Sequence, residues 1–188
     1  MTMTRRFVLD TSLFVNPYAR GLLGDDPDSA MLAFLRKIKK LDAEFFMPPS
    51  VFNELKNFLK PSTLQKCEPY IKKRAPNLYA IYLPAAVLYD FIDDVRVRLN
   101  KGLRLAEEFA KDNRPDNEEK LRKLREKYRN YMRAGIVDST EDFELLLLAK
   151  ELDATVVSSD EGIINFANKI GCEWVDASKF ISILERLK

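Results

Sequence analysis

Hydrophobic positions along the chain follow two rhythms, and the change between them divides it. Short unbroken apolar runs come first: Phe7, Val8 and Leu9 in "RRFVLDTSLFVNP", then the "FFM" of "AEFFMPPS". Each reads as a strand buried on both faces. Between them Met31, Phe34, Leu35 and Ile38 keep helical spacing, and "PSVFNELKNFL" starts a helix with Pro49 or Ser50 near its first turn. Strand, helix, strand, helix predicts right-handed crossovers and a parallel sheet.

From about residue 61 the strand rhythm stops. "KPSTLQKCEPYIKKRAP" reads as a short helix between prolines, and from Pro84 to Lys111 an apolar face runs through Val87, Phe91, Val95 and Leu99. "KDNRPDN" is a turn, and "EEKLRKLREKYRNYMRAG" is a second helix that ends at Gly135. At 1.5 Å per residue these helices span about 40 and about 30 Å, longer than cover for a small sheet requires. The prediction is an antiparallel hairpin that projects from the sheet domain.

The first rhythm then resumes. "STEDFELLLLAKEL" is a helix with Ser139 or Thr140 as its cap, "ATVVSSD" a buried strand and "EGIINFANKIG" a helix stopped by Gly171. "CEWVD" is a short strand and "ASKFISILERL" the closing helix. The predicted fold is α/β, a parallel sheet flanked by helices with a long inserted antiparallel helical hairpin. Residues 1–60 and 135–188 make the sheet domain, and residues 61–134 make the insertion.

Composition narrows the chemistry. The 188 residues are 46% hydrophobic and 32% charged, enough for one domain with an insertion. A net charge of +2 means that nucleic-acid affinity has to come from local clusters. No stretch is long enough to span a membrane, and the amino-terminal apolar run is too short for a signal peptide, which predicts a cytoplasmic protein without membrane partners. Two isolated cysteines give neither a disulfide framework nor zinc spacing. Histidine is absent, which excludes Ser-His-Asp and Cys-His catalysis and His-ligated zinc. With six glycines and no phosphate loop, no nucleotide cofactor is expected. Carboxylates and a hard metal ion are the means left to an enzyme.

Carboxylates stand where such an ion would need them. Asp10 ends the first strand and Asp160 ends "VVSSD", so a parallel sheet brings both to one edge. Asp138 and Asp142 are four apart, so a helix beginning by Asp138 would present them on one face with Cβ atoms about 5–6 Å apart. Glu54 lies on the helix after the second strand and points to the same edge. Each acid has a local alternative: Asp10 or Asp138 as a cap, Asp142 as a helix-dipole partner, Asp160 in a turn, Glu54 on the surface. Taken together, like charges converging on one edge call for a divalent cation. Oxygen-only ligation selects Mg²⁺, with Mn²⁺ as a substitute, over zinc. The rival aspartyl-phosphate chemistry needs a second aspartate two residues after Asp10, where this chain has Ser12.

"VLDTSLFVN", "PPSVFNELKNF" and "DSTEDFELLLLAKELDATVVSSDEGI" resemble the PIN-domain nucleases. In that pattern a first-strand Asp, a helix Glu, a helix-start Asp and a strand-end Asp hold Mg²⁺. The match spans residues 5–60 and 135–186, carrying over to Asp10, Asp142 and Asp160, and to Glu54 with a looser fit. Asp138 is an additional acid. A long basic hairpin together with "GIVDSTED" is similar to the minimal protein-only RNase P family (the HARP group), which removes the 5′ leader of precursor tRNA. The resemblance implies catalytic Asp10, Asp138, Asp142 and Asp160, and a homo-oligomer assembled through the hairpin. Metal-assisted in-line hydrolysis would leave 5′-phosphate and 3′-hydroxyl ends. A PIN ribonuclease acting on mRNA or rRNA, or a non-catalytic RNA-repair scaffold, stays open beside it.

On the second hairpin helix Arg122, Arg125, Arg129 and Arg133 follow helical spacing one position on from the apolar Leu121, Leu124, Tyr128 and Met132. The stripe reads as RNA phosphate contacts or as a solvated face laced by Glu118–Arg122 and Glu119–Lys123 pairs. Phe91, Leu99, Tyr128 and Tyr131 offer more apolar surface than two helices bury, which predicts packing against another subunit.

Overall fold

A computed structural model of the chain describes residues 4–111, 117–133 and 139–186. In chain order it runs β1 (Arg5–Leu9), α1 (Ser12–Val15), α2 (Pro17–Arg20), α3 (Pro27–Ile38), β2 (Ala43–Met47), α4 (Pro49–Leu55), α5 (Pro61–Cys67) and β3 (Ile71–Lys73). There follow α6 (Ala85–Ala110), α7 (Asn117–Arg133), α8 (Thr140–Leu152), β4 (Thr155–Ser158), α9 (Glu161–Ile170), β5 (Trp174–Asp176) and α10 (Ala177–Glu185). The five strands form one sheet in the order β3-β2-β1-β4-β5, and every pairing is parallel. No helix among the described residues is long and apolar enough to cross a membrane.

Two compact units emerge: Met1–Tyr82 with Ser139–Lys188, and Leu83–Asp138. The sequence reading put residues 61–134 in the insertion, but α5 and β3 belong with the sheet. β3 pairs with β2 through Ile71 opposite Phe45, and Ile71 is its one buried side chain. A three-residue strand with a single buried position carries too little periodicity to read from sequence.

Side-chain alternation on β1 explains how the first unit is held. Phe7 stacks on Phe45 at 5.7 Å between centroids and meets Phe180 of α10 edge-on at 5.0 Å. Phe34 of α3 completes this cluster against Phe45 and Phe14. Val8 points to the opposite face of the sheet, where α8 packs on β1 and β4. Leu145, Leu146, Leu147 and Leu148 are all buried, so α8 is apolar nearly all round, as a helix enclosed by sheet and neighbours should be. Its start is thereby fixed relative to the ends of β1 and β4. At the far end Gly171 takes φ +68° to stop α9, as expected for a glycine past a helix terminus.

The second unit is the helical hairpin. Its helices approach closely at Gly102, where an added Cβ would lie 2.9 Å from Cε2 of Tyr128. Lys127 joins them by an ion pair to Glu108 at 3.5 Å and a cation–π contact 5.4 Å from the Phe109 ring centroid. Val87 and Leu105 are buried, while Leu88, Phe91, Leu99, Leu103, Leu121 and Tyr131 remain exposed.

Candidate active site

Three apolar residues of β1 bury its end and deliver Asp10 at only 6% exposure. A lone buried carboxylate is costly, and here the chain meets that cost with hydroxyls. Ser12 Oγ donates to Asp10 Oδ2 at 2.6 Å, and Ser158 Oγ, from the neighbouring β4, donates to the same oxygen at 2.7 Å. The backbone amide of Asp10 donates to the Val157 carbonyl at 3.0 Å and extends the β1–β4 pairing to the site. Asp10 is therefore no helix cap: Thr11 occupies the cap position of α1 and makes no side-chain cap bond.

Asp160 lies just past β4 on the same edge, joined to Asp10 through one side chain. Its amide donates to Ser158 Oγ at 3.0 Å. Asp160 is also the N-cap of α9, with Oδ1 accepting from the amides of Gly162 at 2.7 Å and Ile163 at 3.1 Å. The local role and the edge position coexist in one residue. Its Oδ2 accepts no hydrogen bond from the described residues.

Glu54, in the last turn of α4, approaches Asp10. Partial burial and the Asp10 charge push its carboxyl above the usual range, a hydrogen bond from Thr11 offsets part of this, and Glu141 adds to the rise. The α4–α8 junction is held by the Ser50 hydroxyl donating to Glu144 Oε2. Asp142 sits half-buried in the first turn of α8, its amide donating to Ser139 Oγ at 3.0 Å.

Ser139 is thus the cap, in an extended conformation with φ −123° and ψ 152°, and α8 begins at Thr140. The cap is one of the two expected, and because the helix starts at Thr140 the condition for Asp138 and Asp142 to share a face of it is not met. The serine hydroxyl accepts from the amide of the third helical residue, Asp142, which ends the helical register there. Asp138 itself lies outside the described residues.

All these donors are oxygen, the chemistry that suits Mg²⁺ or Mn²⁺ and not zinc. In β1, α4, α8 and β4–α9 the donor set fits a hard divalent ion. Among the described residues no three His, Cys, Asp or Glu side chains stand as a ready-made metal cluster. Asp10 and Asp160 each accept hydrogen bonds from the protein. Burial pushes the Cys67 thiol up to about 11.

Sequence reasoning passed over Ser12, Ser158, Thr11 and Glu141. The available signal was the hydroxyls of "DTS" and "SSD" flanking both acids, which look like ordinary capping residues until the strands are paired. On α7 the side chains of Arg122, Arg125 and Arg129 are exposed and line one groove together with Glu118, Leu121, Glu126 and Asn130. The side chain of Arg133 lies outside what is described. The Glu119–Lys123 pair forms at 2.6 Å.

A family model described as PINc domain ribonuclease matches residues 6–188. The chain is 49% identical to a Thermococcus onnurineus protein named RNA-free ribonuclease P, with 97% of this chain and 94% of that protein aligned. A Pyrococcus furiosus protein of the same name is also 49% identical at the same coverage. A bacterial relative from Thermodesulfovibrio yellowstonii, again named RNA-free ribonuclease P, is 38% identical over 96% of this chain and 93% of its own.

Proposed function

The chain belongs to the RNA-free ribonuclease P family of PINc-domain ribonucleases, and on that basis we propose that it removes the 5′ leader of precursor tRNA in a Mg²⁺-dependent reaction. The observation that carries the catalytic half is the Ser158 bridge. One hydroxyl from β4 binds the Asp10 carboxylate and the Asp160 amide, so acids far apart in sequence meet at one sheet edge.

In this reading Asp10, Asp142 and Asp160 hold the ion, with Glu54 and Asp138 completing the set, and the four aspartates are the catalytic residues. A bound Mg²⁺ or Mn²⁺ supplies a Lewis acid for the scissile phosphate and for an attacking water. The chain's own part is to orient and to exclude. Asp10 is locked by two hydroxyls, the Asp160 Oδ1 is committed to α9, and Asp142 is fixed at the start of a buried helix. With no histidine in the chain, no imidazole competes as general base. The products are a 5′-phosphate and a 3′-hydroxyl.

Chelation tests the metal half. EDTA should stop cleavage, added Mg²⁺ or Mn²⁺ should restore it, and a zinc-selective chelator should leave it running. Cleavage that persists in EDTA would end the metal reading.

Substrate positioning falls to the hairpin. Arg122, Arg125, Arg129 and Arg133 follow one stripe of α7, and for the three whose side chains are described no carboxylate partner within ion-pair distance occurs among the described residues. We assign them to tRNA phosphates, which proteins grip by shape and backbone. The exposed apolar positions of α6, Phe91 and Leu99 among them, we assign to a second copy of the chain in a cytoplasmic homo-oligomer. Phe91→Glu with Leu99→Glu should dissociate that oligomer and lower activity, read by light scattering beside a cleavage assay. A wild type that is monomeric and cleaves correctly would rule the assembly out.

A further inference from the structure

We infer that Ser12 and Ser158 are positioning residues that commit one oxygen of Asp10 to the protein and leave the other, Oδ1, as its ligand oxygen. The inference rests on the reading of Asp10 as a metal ligand and adds which atom binds and what aims it.

Hydrogen counting carries the argument. A serine hydroxyl has one proton to give and lone pairs to accept with. Ser12 Oγ accepts from the Ser159 amide at 3.0 Å, and Ser158 Oγ accepts from the Asp160 amide at 3.0 Å. Each then spends its single proton on Asp10, and both choose Oδ2, at 2.6 and 2.7 Å. Two short charge-assisted bonds fill that oxygen.

Oδ1 is left nearly bare. Its one hydroxyl neighbour is Thr11 Oγ1 at 3.4 Å, beyond the range of a normal O–H···O bond. The carboxylate therefore presents one saturated oxygen and one open oxygen, at a position 6% exposed where water cannot freely make up the difference.

Both relays run amide to hydroxyl to carboxylate, and each link polarises the next. Turning the Asp10 carboxylate would break both at once, so its orientation is fixed by the β4–α9 turn that also carries Asp160. The two serines thereby set Asp10 Oδ1 and the Asp160 backbone in one frame. Neither hydroxyl needs to touch the ion. Outer-shell donors of this kind are worth about 10–100-fold in metal affinity.

Mn²⁺ binding to the full chain, followed by electron paramagnetic resonance, tests this without relying on cleavage. Ser12→Ala and Ser158→Ala should each weaken binding about 10–100-fold. Ser12→Thr, which keeps the hydroxyl, should bind as the wild type does, and Asp10→Asn should bind far more weakly than either alanine variant. Circular dichroism checks that each variant is folded; Ser12 is only half-buried, so the Ser12 pair decides if Ser158→Ala is unstable. Alanine variants that bind like the wild type, beside an Asp10→Asn that does not, would overturn this inference and leave the metal site standing. A Ser12→Thr as weak as Ser12→Ala would also overturn it. An Asp10→Asn with wild-type affinity would remove the metal reading itself, and the inference with it.

Discussion

Replacing Asp10, Asp142 or Asp160 by asparagine should lower precursor-tRNA cleavage by about two to three orders of magnitude, the scale of losing one preorganised electrostatic group, with the fold intact. Asparagine is the informative substitution because of what the oxygens already do. At position 10 the amide oxygen can still accept from Ser12 and Ser158, which turns the amide nitrogen, useless to a cation, toward the site. At position 160 alanine would confound the result: the cap on Gly162 and Ile163 would be lost with it, at about 1 kcal/mol. Asparagine keeps that cap. Single-turnover cleavage beside thermal melts separates chemistry from stability, and a variant that melts and cleaves as the wild type does would remove its residue from the site.

The second large effect concerns the hairpin. Arg125→Ala combined with Arg129→Ala should weaken precursor-tRNA binding and flatten its salt dependence, with the log–log slope smaller by roughly 1.5–2 if each arginine contacts one phosphate. Both side chains are exposed on one face of α7, so their removal costs the hairpin little packing. The subunit count should not change, because the apolar positions of α6 are untouched. Filter binding across a salt series measures the slope. An unaltered slope would mean that the stripe is a solvated face after all, as the Glu118 and Glu126 carboxylates that line the same groove would permit.

Much of the fold was legible because its signals were dense. Phe7–Leu9, Phe45–Met47 and Val156–Val157 are unbroken apolar runs, and each is buried in a parallel strand. Gly171 marked a helix end where one exists. What escaped was short or depended on tertiary pairing. β3 has one buried residue, too few to show a period. The start of α8 was legible as a cap at Ser139 or Thr140, and Ser139 takes it by accepting from the Asp142 amide.

The acids at the edge were visible as strand-end and helix-start residues; their hydroxyl partners were not. Ser12 and Ser158 are 146 residues apart and meet only because β1 and β4 are neighbours in the sheet. Glu54 was read at this edge from its helix after the second strand; the burial and the Asp10 charge that raise its carboxyl depend on tertiary packing.

The central claim is that this sheet edge cleaves precursor tRNA at its 5′ junction. Incubating the full chain with a precursor tRNA and Mg²⁺, then sizing both products and mapping their ends, tests it most directly. The account predicts two fragments, a tRNA that begins with a 5′-phosphate and a leader that ends in a 3′-hydroxyl, and neither when EDTA is present. An uncut precursor, cuts scattered through the RNA, or a leader ending in a cyclic phosphate would contradict it.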